Sequence, residues 1–265
     1  MVKTMSRIFG AVTTVTVAML VAAPAAVGST ITIDDFTEVQ GVQSVAANTI
    51  VSSSINDGML GGFRTMAVES TSSDLFGTSL AAQSGSLSFN NSAGVTGRGW
   101  VVFDGTGDRT LTNDNSIGIG VRTNTFLTNL LPIGNITTNF FSFDLSSFNP
   151  GLGGATALFS AFAWDVGGAR AEFSEIVGAA SVSPDLFLSE FTGAIDWANV
   201  SALAFKIDST QGMFDGNEYG GVNFDGKLGA VTYSVIPLPA SALLLLGGLG
   251  SLAGVSVVAR RRQRA

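Results

Sequence analysis

Leu203-Ala204-Phe205-Lys206-Ile207-Asp208 alternates large apolar side chains with small or polar ones. A period of two marks a half-buried strand, because successive side chains of a strand point to opposite faces of its sheet. The same beat recurs in Phe141-Ser142-Phe143-Asp144-Leu145-Ser146 and in Val231-Thr232-Tyr233-Ser234. Further strands are predicted at residues 31–36, 66–70, 86–89, 99–104, 117–122, 158–164, 172–177 and 186–188. Gly, Asn, Asp and Ser fill the gaps, as turns require. Helical periodicity is scarce between Ile31 and Val235. Roughly ten short strands without a βαβ rhythm predict an all-β fold, an antiparallel β-sandwich of jelly-roll type. No repeat and no long linker divides it, so residues 29–234 are read as one domain, with most of the 19 Phe in its core.

Composition agrees with a packed chain. Charged residues are 12% and hydrophobic residues 46%, with 33 Gly. That is too apolar for disorder and unlike a helical bundle. All 20 acidic residues lie between Asp34 and Asp225, where they face only Arg64, Arg98, Arg109, Arg122, Arg170, Lys206 and Lys227, a net charge of −13. Such a surface repels phosphate backbones, so no nucleic-acid partner is expected. The chain has no Cys and no His. Disulfides, thiol catalysis and a Ser-His-Asp triad are thereby excluded, and the usual zinc ligands are missing.

The two ends read as addresses. Lys3 and Arg7 precede an apolar run over residues 8–21, followed by Ala23-Pro24-Ala25 and Ala26-Val27-Gly28. This is the pattern of a signal peptide, predicted over residues 1–28 and cut by signal peptidase within 26–29. Residues 240–259 carry no charge, and Arg260, Arg261, Arg262 and Arg264 follow. At 1.5 Å per residue such a run covers roughly 30 Å, the hydrocarbon thickness of a bilayer. Positive flanks stay in the cytoplasm, so this transmembrane helix would place the β-domain outside the inner membrane. Gly250 and Gly254 have the spacing that lets two such helices pack.

The step before that run is Val235-Ile236-Pro237-Leu238-Pro239-Ala240-Ser241. Together with the apolar run and the arginine tail it resembles a VPLPA-CTERM sorting signal, a variant of the PEP-CTERM signals of Gram-negative bacteria. An Ile between Val235 and Pro237 departs from the uninterrupted motif. The resemblance implies recognition by an exosortase, a membrane-embedded cysteine transpeptidase, with processing near Pro237, Leu238, Pro239 and Ala240. The precursor would be anchored in the inner membrane and the product carried to the cell surface or beyond. Both prolines disfavour helix and keep the step extended, the shape a protease or transpeptidase cleft takes.

Inside the domain, Ile55-Asn56-Asp57-Gly58-Met59-Leu60-Gly61-Gly62-Phe63-Arg64 resembles a turn of galactose-binding-like jelly rolls. These include the family of complex I intermediate-associated protein 30 and some carbohydrate-binding modules. Leu188-Ser189-Glu190-Phe191 and the stretch from Asp196 to Leu203 resemble the late strand pair of such domains. The plainer reading of Asn56 and Asp57 is a glycine turn capped by its own side chains. Exposed aromatics beside a cleft can stack on sugars, and Trp197 and Tyr219, lying in loops, are the candidates. Trp164, in an apolar strand, is expected in the core.

Asp104, Asp108 and Asp114 fall in one Gly/Asn-rich stretch and are candidate ligands for a structural calcium ion, the one cofactor considered. No Glu stands at the EF-hand position. Asp215, Glu218 and Asp225 form a second acidic group. If the first and last strands are neighbours, Asp34 or Asp35 could meet Asp225. Solvated turns are the plainer reading of both. The function expected is a non-enzymatic structural or adhesive protein of the envelope or extracellular matrix. The alternative is a carbohydrate-binding module for exopolysaccharide. A glycosidase working through paired carboxylates comes third, since no pair has a signature.

Overall fold

The alternating stretches become strands because each can bury one face only by pairing and stacking. The computed structural model describes residues 29–56, 59, 61–104, 139–145, 154–178 and 185–235. In chain order the strands are Ser29–Asp34 (β1), Gln40–Ser44 (β2), Thr49–Asn56 (β3), Phe63–Ser70 (β4), Thr78–Gln83 (β5), Ser86–Asn91 (β6), Gly97–Phe103 (β7) and Phe140–Leu145 (β8). Ala157–Asp165 (β9), Arg170–Val177 (β10), Asp185–Phe187 (β11), Val200–Asp208 (β12), Gly212–Phe214 (β13), Asn217–Tyr219 (β14) and Asp225–Val235 (β15) follow. Short 3-10 turns stand at Leu188–Glu190 and Trp197–Asn199.

Two sheets result. One runs β11-β8-β15-β6-β5-β2 with β1 added against β15, and the other runs β10-β9-β12-β7-β4-β3. A separate hairpin joins β13 and β14. Every ladder between these strands is antiparallel. The all-β antiparallel sandwich is therefore as read from the alternation. No helix among the described residues is long and apolar enough to cross a membrane. The proposed signal peptide, the residues 236–265 and the predicted strand at 117–122 lie outside the described residues.

The inner faces meet in one core. Phe141, Phe143, Tyr233 and Leu228 from the first sheet face Met66, Val68, Val101, Phe159 and Phe205 from the second. Phe143 packs at 5.3 Å from Phe159 and 5.8 Å from Phe205, ring centre to ring centre. Gly99 is needed in this layer, since a Cβ there would lie 2.8 Å from the Phe89 ring. Residues 27–238 form one compact unit, and its buried apolar side chains run from Ile33 to Tyr233 among the described residues.

β1 lies beside β15, the condition under which Asp34 or Asp35 could have met Asp225, but the carboxylates do not meet. Asp34 is opposite Val231, whereas Asp225 starts β15 and is opposite Asn90 on β6. Six residues of strand separate the two positions, roughly 20 Å. A register shift between Leu228 and Val231 divides β15, with β6 along its first part and β1 along its second.

Registers also define two poles. Ser29 pairs with Val235, so both ends of the domain leave from one pole. Residues 35–39 follow Asp34, which lies five residues along β1 from Ser29 and opposite Val231 in the middle of β15. They and the turns after β3, β5 and β9 are on the terminal side of the sandwich, away from Asn91 and Asp225. Ser44, Thr78, Asn91 and Asp225 mark the opposite, distal pole, with the loops 45–48, 71–77, 92–96 and 209–224. Asn91 donates through Nδ2 to Ser209 Oγ at 2.9 Å, which joins the two sheets there.

Candidate functional site

The proposed ligand-binding residues are not gathered into one site. Asn56 is exposed at the end of β3, and Asp57 lies outside the described residues. Trp197 is half-buried in its 3-10 turn, with its ring edge-on to Phe191 at 5.2 Å and 77°. Its neighbour Asp196 donates its N–H to Asp165 Oδ2 at the end of β9, four strand positions from β3. Asn56 and Trp197 are thus separated by roughly 20 Å. Tyr219 is at the distal pole, with its ring across Gly212, where a Cβ would come within 2.6 Å of the hydroxyl. Burial raises the Tyr219 pKa, the Asp208 carboxylate adds to this and Arg98 opposes it.

Asp104 is fully buried at the end of β7. The two other proposed calcium ligands, Asp108 and Asp114, lie outside the described residues. Among the described residues no group of three or more acidic side chains could hold a metal ion.

The outer face of the second sheet carries Trp100, Phe162 and Trp164, with Ala67, Val102, Ala202 and Ala204 between them. An aromatic sheet face is a plausible sugar platform only where the rings are open to solvent. Here the three are only 6–8% exposed, so they form a second apolar layer. Trp164 is buried, as its apolar strand suggested. A charged row borders this layer toward the distal pole. Arg98 donates to Asp208 at 3.0 Å and to Glu69 at 3.2 Å, and Lys206 Nζ lies 2.9 Å from Asp208. Burial acts against the charge of Arg98, but the Asp208 and Glu69 carboxylates outweigh it and hold its pKa above the ordinary value.

At the terminal pole the largest fully buried side chain is Arg64. Its NH1 group donates to both oxygens of Asp34 at 3.0 and 2.8 Å, and Nε donates to Gln40 Oε1 at 2.8 Å. NH2 donates to the Glu38 carbonyl at 2.7 Å, and the guanidinium lies 5.5 Å from the Phe36 ring centre. Burial pushes the Asp34 carboxyl up despite the Phe36 amide and Arg64. A cavity of about 240 Å³ opens beside this pair, lined by Thr32, Asp34, Asp35, Thr37, Glu38 and Met59. Asp35 Oδ1 accepts from both the Thr37 amide and the Thr37 hydroxyl, and these bonds lower its pKa. The carboxylates of Asp34 and Asp35 are therefore engaged in holding the bend after β1.

The distal pole has the opposite character. Leu75 is 79% exposed and Phe76 66% in the loop between β4 and β5. Asp74 organises that loop. Its Oδ1 accepts from the amides of Phe76 and Gly77 at 2.9 and 3.3 Å and from the Ser92 hydroxyl at 2.7 Å. The Ser92 hydroxyl, then the Phe76 and Gly77 amides, lower the Asp74 pKa. Neither Arg64 nor the Leu75-Phe76 pair was singled out from the sequence. The second leaves a mark there, since two bulky apolar residues sit between Ser72-Ser73-Asp74 and Gly77, off any strand beat.

No family model matches the chain, and no curated protein matches it. Among solved structures, one described as PfGH50B is similar over 62% of this chain at 11% identity, with a TM-score of 0.33. The chain spans 22% of the length of that structure. A superposition this partial says nothing about activity.

Proposed function

We propose that the chain is the precursor of an exported, non-enzymatic protein of the cell envelope or extracellular matrix, with a jelly-roll-like domain in a structural or adhesive role. Signal peptidase would remove residues 1–28. An exosortase-type transpeptidase would act at Pro237-Leu238-Pro239-Ala240, while residues 240–259 and the arginines at 260–262 and 264 hold the tail in the inner membrane. The observation that carries this reading is the pairing of Ser29 with Val235. Both junctions leave from one end of the domain, so the two processing steps would act on neighbouring stretches of chain. The jelly-roll description is supported by a chain that changes sheets after almost every pair of strands. A non-enzymatic role is supported by Asp34, Glu69 and Asp208, whose carboxylates are each tied to an arginine rather than poised as acid or base.

Reading both mature termini by intact mass, after cell fractionation, tests the proposal. Replacing Pro237 and Pro239 with Ala, or deleting residues 260–265, is expected to leave an uncut, membrane-held precursor. An unchanged mature mass in those variants would overturn it.

A carbohydrate-binding module for exopolysaccharide is the second reading. Its support is the half-buried Tyr219 ring flanked by the exposed Asn217 and Glu218, an aromatic face with polar groups beside it. Binding of residues 29–234 to matrix glycans on an array, lost in Tyr219→Ala, would favour it. A blank array removes it.

A further inference from the structure

Seven large apolar side chains stand in solvent among the described residues, and five of them are at the distal pole: Val45, Leu75, Phe76, Met213 and Val222. Burial drives folding, so stability gives no reason to keep Leu75 and Phe76 in water. Nor are they on a loose loop. Asp74 N–H donates to the Val45 carbonyl at 3.1 Å, and Ser92 N–H donates to the Gly77 carbonyl at 2.8 Å. Gln43 Nε2 donates to the Phe76 carbonyl at 2.6 Å, while the Phe76 and Gly77 amides are taken by Asp74. Gly77 adopts φ +52° with its Cα against Ser44, where a Cβ would lie 1.8 Å from the Ser44 carbonyl oxygen. The fold thus fixes the loop while leaving its two largest side chains outside.

The backbone groups of Phe76 and Gly77 and the Asp74 amide are bonded from within, so they lose little on leaving water, as entry into an apolar layer requires. Charge narrows the kind of layer. The loops 45–48, 71–77, 92–96 and 209–224 contain Asp74, Asp215 and Glu218 and no Lys or Arg. With −13 over the domain, this pole is repelled by anionic lipid, whose surface recruits cations. A sugar ring would use Phe76 but not Leu75. An aliphatic residue beside an aromatic one, both protruding, suits the boundary between headgroups and acyl chains.

We propose that Leu75 and Phe76 form a tip that enters the interfacial layer of an uncharged, zwitterionic lipid surface. The tip is at the pole opposite Ser29 and Val235, and the inference goes beyond the sorting reading and does not depend on it. A domain held at Val235 would touch a second surface across the length of β15, about 35 Å away.

The test uses residues 27–238, one compact unit, in sedimentation with phosphatidylcholine vesicles and with phosphatidylglycerol vesicles. Wild type is expected to partition onto phosphatidylcholine and more weakly onto phosphatidylglycerol at low salt. Leu75→Ser and Phe76→Ser should each lower the partition coefficient about tenfold, the loss of one buried apolar side chain, with unchanged thermal melts. Val39→Ser, at the other pole, should leave it unchanged. Absence of wild-type partitioning, or equal partitioning of the tip variants, overturns the proposal. A lipid-free dimer that Phe76→Ser dissolves would assign the tip to a second copy and overturn it equally.

Discussion

The two poles of the sandwich handle their side chains in opposite ways. At the terminal pole an arginine and an aspartate are drawn out of water into a closed set of hydrogen bonds. At the distal pole a set of bonds to Asp74, Phe76 and Gly77 holds a loop that keeps leucine and phenylalanine in water. Both arrangements are rigid, so rigidity alone does not separate a structural device from a functional one. Arg64 is accounted for by fastening β4 of one sheet to β1 and the bend after it in the other. The exposed side chains of Leu75 and Phe76 have no such fastening role, and that is why the distal pole is the better place to look for a partner.

The sharpest way to break this contrast is to unmake the buried pair. Arg64→Ala leaves the Asp34 carboxylate buried without its cation and should cost about 3–5 kcal/mol of stability in urea unfolding. The paired change Arg64→Met with Asp34→Leu should recover most of that loss, because two apolar groups no longer need each other's charge. A double variant as unstable as the single would mean that Gln40 and the Glu38 carbonyl, rather than the ion pair, decide the site.

Smaller effects probe the distal pole. Gly77→Ala forces a side chain into a left-handed backbone position and against Ser44, so a loss of about 1–3 kcal/mol is expected from the strain alone. Calorimetry would register it as a lower melting temperature, and a wild-type melt would mean the loop relaxes without consequence. At the terminal end of β15, Tyr233 Oη and Asn139 Oδ1 are buried and neither makes a hydrogen bond of good geometry. Burial pushes the Tyr233 pKa up to about 12, with the neighbouring Asn139 side chain opposing. Tyr233→Phe removes a desolvated hydroxyl and should be neutral or stabilising by about 1 kcal/mol.

The gentlest change is acid. The Asp74 pKa is lowered below its ordinary 3.8 by bonds it accepts as a carboxylate. The stability those bonds give is complete above pH 3.8 and is lost as pH falls through the lower, folded value. The Phe76 and Gly77 amide resonances should therefore titrate with a midpoint below 3.8. A midpoint above it would contradict the cap.

Much of the sandwich was legible, but unevenly. β8, β12 and β15 alternate large apolar with polar residues, and each was visible. The prediction at 31–36 ran past Asp34 because nothing in Asp35-Phe36 shows that Phe36 turns to φ +52° with its amide on Asp34. β2, β3 and β5 were not singled out. Gln40 and Ser44 are buried polar residues in β2, three serines run through β3, and β5 has Leu80 as its one large apolar residue. Their apolar period is weak, and pairing with stronger neighbours makes them strands. The DG turn at Asp215-Gly216, with both residues at positive φ, is a hairpin signal that was read only as acidity.

By itself the sequence determined the fold class, the acidic character of the domain and the absence of thiol and imidazole chemistry, because periodicity and composition are local or additive. Tertiary structure decided what lies beside what. It put Arg64 on Asp34 across thirty positions of chain, set Asp34 six positions of β15 away from Asp225, and closed Trp100 and Trp164 into a second apolar layer. It also placed Leu75 and Phe76 at the pole farthest from Ser29 and Val235. Exposure and neighbourhood are properties of packed sheets, and no stretch of six residues contains them.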